Sequence, residues 1–512
     1  MGSKLINDNK EHVVYETSVQ HLLKGNLFDL REGKPTVGRF RFISCSALAE
    51  NVVRVVECES LAQLDYSAIS YIWRGNGIPD ESFHLKVFTT SIPEDEEPGD
   101  PISIDILQLT CLAALANNSS YIWLDRLCIL QTSRDDKIWQ IQHMQDIYKF
   151  CSRCFILPGG LSWLCQLEEE TAWLHRAWTL QESASPPTSD VLFQWAHGST
   201  ALTGLTSGKI MEIEQGRYAM IRLGDLLQAA TVGWLLCASN KMKVDEARDT
   251  AIWRSALKRT SSRPVDMIFS IMGLFDVALN PREYGRNERQ RATLDLAKGI
   301  LRSGRGPIWI LASLQGRFLP GASTIPAFPE TSVSGKVAAE EPVEGITLGG
   351  GLAWTLRNTA ASSLDDFGYL TMNGRFSAIS TNGILGRRIP TYRGFEYWTV
   401  LMRIDGEPIE AGLLGRCGSV SHALVVGDIE HYMLTATAAR GSKSCVAVVL
   451  LRRTQTEGHW HRCGFALVAP EFTENWQECE ATIVSSDEWT HPREYTLEEW
   501  KEGQKLEEAK RT

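Results

Sequence analysis

Two nearly continuous apolar runs, at 121–129 and 154–157, flank an amphipathic helical pattern at 135–151. A strand that is apolar on both faces is buried on both faces, and a helix between two such strands is the crossover that parallel pairing requires. This unit dictates an α/β domain built around a sheet with helices packed on it. The helix carries its own signals. Thr132 and Ser133 are candidate N-caps, Asp135 and Asp136 lie in the first turn, and Ile138, Ile141, Met144, Ile147 and Tyr148 form one stripe. Further strands are predicted at 39–45, 52–58, 66–73, 83–88 and 191–195, with helices at 102–116 and 169–182.

The remaining chain changes character twice. From about 220 to 305 it reads as helical, with strong segments at 223–239, 245–260, 265–275 and 289–302, the third following Pro264. Residues 316–345 carry Pro320, Pro326, Pro329 and Pro342 among small residues and read as a linker. Beyond 350, alternation with frequent glycine predicts antiparallel strands at 369–380, 397–404, 421–426, 432–438, 444–452 and 463–468. At roughly 100–200 residues per domain, 512 residues allow two or three. The expected division is an α/β domain at 38–215, a helical extension at 216–315, a β-rich domain at 345–475 and a charged tail at 476–512.

Charge and composition exclude several classes. The net charge of −10 argues against a dedicated nucleic-acid binder, which carries a basic face. The longest apolar stretches, 226–238 and 446–451, fall short of a membrane span, and the polar N-terminus has no signal-peptide core. Twelve cysteines scattered through apolar segments fit a reduced, cytoplasmic protein. Cys151 and Cys154 form a lone C-x-x-C without a second pair and read as core. His459, His461 and Cys463 would share one face of a strand, but no fourth ligand stands near them, so no metal site is assigned. Glu94–Asp100, rich in acidic residues, reads as a solvated loop.

Three segments concentrate Trp, Asp, Arg and Glu at the ends of predicted strands. They are Tyr66-Ser67-Ala68-Ile69-Ser70-Tyr71-Ile72-Trp73-Arg74-Gly75, then Tyr121-Ile122-Trp123-Leu124-Asp125-Arg126-Leu127-Cys128-Ile129-Leu130-Gln131 followed by Met144 and Ile147-Tyr148, then His175-Arg176-Ala177-Trp178-Thr179-Leu180-Gln181-Glu182. In this order and spacing they resemble the fungal heterokaryon-incompatibility (HET) domain family, whose pattern runs Y-x-A-(I/L)-S-Y-x-W-G, W-(I/L)-D-x-L-C-I-x-Q with M-x-x-I-Y, and R-x-W-T-x-Q-E. Arg74 is inserted before the glycine, and Leu130 stands where Asp or Asn is common. The segment 251–275 is similar to the region C-terminal to the domain in longer, mushroom-type members. The resemblance implies a flavodoxin-like fold related to the Toll/interleukin-receptor (TIR) domain, with a mostly parallel sheet. It also implies a role in non-self recognition, in which fusion of unlike hyphae triggers programmed cell death.

The sharpest chemical feature is Trp178 four residues before Glu182. NAD-cleaving TIR domains carry W-C-x-x-E, and Thr179 replaces the Cys here. Residues i and i+4 share a helix face, so the indole would shelter a carboxyl beside a bound base, where it would stabilise an oxocarbenium-like centre. The competing reading pairs Glu182 with Arg176 and makes Trp178 a core residue. Asp125 and Arg126 end a predicted strand on the side where open α/β sheets bind ligands, or else pair with one another. Ser70, Trp73 and Arg74 end another strand and would floor a nucleotide pocket, Arg74 suiting a phosphate. Cys128, inside an apolar run, reads as core.

The expected function is that of a HET-type effector of cell death, acting by NAD glycohydrolase-like cleavage, with NAD as substrate, Glu182 catalytic and Ser70, Trp73, Arg74, Asp125, Arg126 and Trp178 binding. Self-association and protein partners are expected, without membrane. Two alternatives stay open. One is a non-catalytic interaction module. The other is a biosynthetic enzyme on the same scaffold, such as a tRNA-dependent cyclodipeptide synthase.

Overall fold

The computed structural model describes residues 12–74, 84–87, 99–195 (168 and 170 apart), 210–229, 245–307 (258 apart), 309–312, 322, 324–326, 328, 354–388, 397–414, 420–431 and 445–484. The chain divides into two compact units. The first takes Met1–Cys237, Arg259–Asn287 and Thr331–Lys336, and the second takes Ala238–Lys258, Glu288–Glu330 and Val337–Thr512.

In the first unit the elements run β1 His12–Ser18, α1 Val19–Leu23, β2 Phe40–Ser44, α2 Cys45–Ala49, β3 Val52–Cys58 and β4 Tyr66–Tyr71. A short ribbon of β5 His84–Leu85 and β6 Ile102–Ser103 follows, then α3 Ile104–Ala116, β7 Tyr121–Trp123, α4 Asp125–Cys128, α5 Arg134–Phe150 and β8 Arg153–Leu157. The unit continues with α6 Trp178–Ala184, β9 Ser189–Gln194, β10 Met211–Glu214 and β11 Tyr218–Arg222. Nine strands form one sheet in the order β1-β3-β2-β7-β4-β8-β9-β11-β10.

The sheet is mixed rather than mostly parallel. Parallel pairing is confined to β7-β4, β4-β8 and β8-β9, and antiparallel strands flank this centre on both sides. The edge strands β1 and β10, and β11 beside the latter, are absent from the sequence reading. Their alternation is short and partly exposed, and periodicity registers a half-solvated edge poorly. The parallel centre follows from burial, because all six residues of β4 are buried. The chain leaves β4 through α3 to β7 on one side, then crosses by α5 to β8 on the other. Right-handed crossovers in opposite directions place their helices on opposite faces. The strand order therefore reverses between β4 and β8, and the crevice at the carboxyl ends of strands at such a point is where open α/β sheets bind ligands.

Local signals fix the helices. Ser133 caps α5, its Oγ accepting from Asp136 N at 3.2 Å, and Ser103 caps α3 through Ile106 N. Two expectations are corrected. The predicted strand 121–129 stops at Trp123, and Asp125–Cys128 closes a helical turn through Cys128 N to Leu124 O at 2.8 Å and Ile129 N to Asp125 O at 3.0 Å. The predicted helix 169–182 is interrupted. A 3₁₀ turn at Trp173–His175 precedes α6, because residues 175–177 turn outward to pair with Thr260: Thr260 N donates to His175 O at 2.6 Å and Ala177 N to Thr260 O at 2.8 Å.

A buried ion pair ties β2 to α5. Arg41 and Asp136 are both fully buried and bidentate, at 2.9 and 2.6 Å. Arg41 also donates to Cys128 O and Thr36 O, and Asp136 accepts from Leu130 N. Asp136 is thus an internal anchor and not only a first-turn acidic residue. The tryptophans of the motif segments pack this unit: Trp123 is buried, and Trp139 lies between Phe40 and His143, centroids 4.8 and 4.1 Å away.

In the second unit, hydrogen bonds join the strands into one ten-stranded sheet, antiparallel except between His459–Val468 and Gln477–Val484. The latter strand falls in the stretch read from sequence as the start of the tail. Helices Asp245–Ala256 and Arg289–Arg302 belong to this unit, with Trp253 packed against Trp309 and Phe328 at 5.7 Å each. The predicted strand 432–438, the linker 316–345 (most of it) and the last twenty residues lie outside the described residues. Among the described residues, no helix is long and apolar enough to cross a membrane.

Candidate functional site

The carboxyl end of β4 organises two side-chain groups. Successive strand residues point to opposite faces, so Ser70 and Tyr71 serve different partners. Ser70, fully buried, donates from Oγ to Glu182 Oε2 at 2.5 Å and accepts from Trp173 Nε1 at 2.9 Å. Tyr71 donates from its hydroxyl to Asp125 Oδ1 at 2.5 Å. Trp73, two residues on, donates from Nε1 to Asp125 Oδ2 at 3.1 Å, and Arg126 N donates to Oδ1 at 2.6 Å. Asp125 is thereby held by three donors from two strand ends.

The Arg126 side chain does not ion-pair with Asp125. Its guanidinium donates to Asp100 O and lies 5.9 Å from the Trp73 ring centre, in reach of a cation–π contact. Arg74, the residue after Trp73, is exposed.

Glu182 lies on α6. The residue keeps some open surface, while its carboxyl end is enclosed against β4. Burial pushes its pKa up to about 8 from an ordinary 4.5; the Ser70 hydrogen bond opposes this, the Asp125 charge adds to it, and Arg176 and Arg259 pull it down. Near neutral pH the carboxyl is predominantly protonated. Among the described residues Glu182 makes no ion pair, so its partner is Ser70 and not Arg176, which acts on it only through the field.

Folding therefore takes up a proton. Between about pH 4.5 and 8 the folded chain holds a proton on Glu182 that the unfolded chain releases, so this group's contribution to stability declines as pH rises through that window. Glu182→Gln removes the slope. The variant is expected to match wild type near pH 4.5 and to be more stable at pH 8 by on the order of 4 kcal/mol, read as denaturant midpoints at the two pH values.

Ser70→Ala has the opposite sign. It leaves Trp173 Nε1 without its buried acceptor and Glu182 without its donor, a loss of about 1–3 kcal/mol. Calorimetry at pH 6 is expected to show a lower melting temperature.

The structure thus brings Ser70 to Glu182, and Trp73 and Arg126 to Asp125. Trp178 is half-buried against the core at the start of α6. Tyr71, Trp173 and Arg259 are not among the residues that the sequence predicts for the site. Tyr71 lies inside the first motif segment, where a tyrosine two residues before Trp73 would share its face; Trp173 and Arg259 give no local signal. Cys128 is buried and its thiol is pushed up to about 12 by that burial, which suits a core residue and not a nucleophile. Cys151 and Cys154 are buried free thiols. Among the described residues, no group of three or more His, Cys, Asp or Glu side chains stands close enough to hold a metal ion.

Residues 66–163 match the family model described as Heterokaryon incompatibility protein (HET). This span runs from β4 through the end of β8 and contains Ser70, Tyr71, Trp73, Asp125 and Arg126; Glu182 lies beyond it. No curated protein and no solved structure matches the chain.

Proposed function

We propose that the chain is a cytoplasmic effector of heterokaryon incompatibility and cell death whose first unit hydrolyses the nicotinamide–ribose bond of NAD. The observation that carries this reading is the enclosed Glu182 carboxyl, bonded to Ser70 at the point where strand order reverses. Counting only the parallel strands in chain order, the sheet centre runs 2-1-3-4, which supports the flavodoxin-like and TIR-like kinship. The HET match over 66–163 supports the biological context.

The chemistry suits the group. NAD carries a cationic nicotinamide ring, and a cation beside Glu182 favours its ionised form, so substrate binding would draw the proton off. As the C1′–N bond breaks, its electron pair leaves with nicotinamide, which departs neutral, and the ribose becomes oxocarbenium-like. The Glu182 carboxylate faces that positive centre. Water then bonds to C1′ and gives its proton to Glu182, which returns it to solvent. The products are nicotinamide, ADP-ribose and one proton. Asp125, fixed by Tyr71, Trp73 and the Arg126 amide, orders the adjoining wall, and Trp178 would shelter the base.

Incubation of the full chain with NAD over a range of protein concentrations, reading free nicotinamide, tests the proposal. Release that rises more steeply than protein concentration is expected for an effector active when self-associated. No release at any concentration would overturn the hydrolase reading in favour of an interaction module.

A further inference from the structure

Arg259 is nine-tenths buried, and among the described residues no carboxylate lies within ion-pairing distance of it. A guanidinium in that setting is costly unless it has a task. Its Nη1 donates to Arg176 O at 3.0 Å and to Thr179 Oγ1 at 2.8 Å. Thr179 in turn donates from Oγ1 to Trp173 O at 2.7 Å and Arg176 O at 2.9 Å. The next residue, Thr260, makes the backbone pairs that end the 3₁₀ turn and set the start of α6. Downstream, the helix Asp266–Met272 packs against α6, and Gly273 approaches α5 so closely that an added Cβ would lie 2.5 Å from Gln145 Cβ. A segment far outside the family-matched residues therefore grips the short helix that bears Glu182.

We propose that Arg259 is a positioning residue of the candidate site, fixing the 173–179 turn on which α6, and with it Glu182, is set against Ser70. The inference rests on Glu182 being the functional carboxyl. Position and charge act together. Arg259 and Arg176 draw Glu182 toward ionisation, against burial and the charge of Asp125 beyond β7. Tyr148 on α5 and Cys154 on β8 also feel the Glu182 charge, and both are pushed up mainly by burial. Loss of the Arg259 cation leaves Arg176 as the one remaining cation named among these groups.

Two readouts that need no turnover test this in the full chain. One is amide hydrogen exchange over 176–184. The other is the Glu182 titration midpoint, read from the carboxyl infrared band that Glu182→Gln removes. Arg259→Leu is expected to speed exchange over 176–184 by about tenfold or more and to move the midpoint upward. Arg259→Lys keeps the charge, so the midpoint should return toward wild type. If Arg259→Leu does not fold, Thr179→Val serves: fast exchange over 176–184 with a midpoint near wild type is expected. Unchanged exchange and midpoint, or loosening spread evenly over the sheet, would overturn the proposal. These shifts without NAD cleavage would sink the hydrolase reading and leave the positioning role standing.

Discussion

Asp136→Ala is expected to destabilise the first unit by about 3–5 kcal/mol, because it takes from the buried Arg41 guanidinium its bidentate partner and leaves only Glu57, 3.9 Å from Nε, to face it. The pair is fully buried on both sides and bidentate, and each partner has further ties: Arg41 to two carbonyls, Asp136 to the Leu130 amide. Domains have net stabilities of only about 5–15 kcal/mol, so this loss is a large share. Arg41→Met should be damaging for the complementary reason, leaving an uncompensated carboxylate. The double variant Arg41→Met with Asp136→Leu should recover most of the loss, since a well-packed apolar pair avoids desolvating two ions. Urea unfolding followed by tryptophan fluorescence, with the single and double variants compared, provides the measurement. A single variant with an unchanged first transition would show that the pair contributes nothing to the unit.

Glu182→Gln should lower NAD cleavage by about 10²–10⁴-fold, the range of a positioned acid–base group, while leaving the chain folded and, at pH 8, more stable than wild type. The two effects share one origin. An enclosed carboxyl with its pKa raised to about 8 is a stability liability above neutral pH and a competent base once ionised. Gln still accepts from Ser70, so the helix should stay seated and KM should change little. A variant that lost both activity and stability would point to a scaffold role for Glu182.

The central α/β unit was legible because its signals are local. Ser133 caps α5 beside its own acidic turn, and Ile147 and Tyr148 mark its buried face. The overrun at 121–129 has a physical cause: a short apolar run fits a buried strand or a buried helical turn equally, and the donors that bend it, Tyr71 and Trp73, come from another strand. The broken helix at 169–182 was hidden for the same reason, since its breaker is Thr260. Ser70, Trp73, Asp125 and Arg126 could be named because ligand sites gather at strand ends, and Glu182 through its four-residue spacing from Trp178. Their division into two groups could not, because it depends on which face of β4 each side chain takes. Arg259 was invisible, as only tertiary folding carries it to α6.

The most direct test of the account is nicotinamide release from NAD by the self-associated full chain, measured from pH 6 to 9 beside Glu182→Gln. Wild-type kcat/KM should rise with pH and level off above about 8 as free Glu182 ionises, and the variant should lack both the rate and the rise. Equal, negligible release from the two proteins across that range would contradict it.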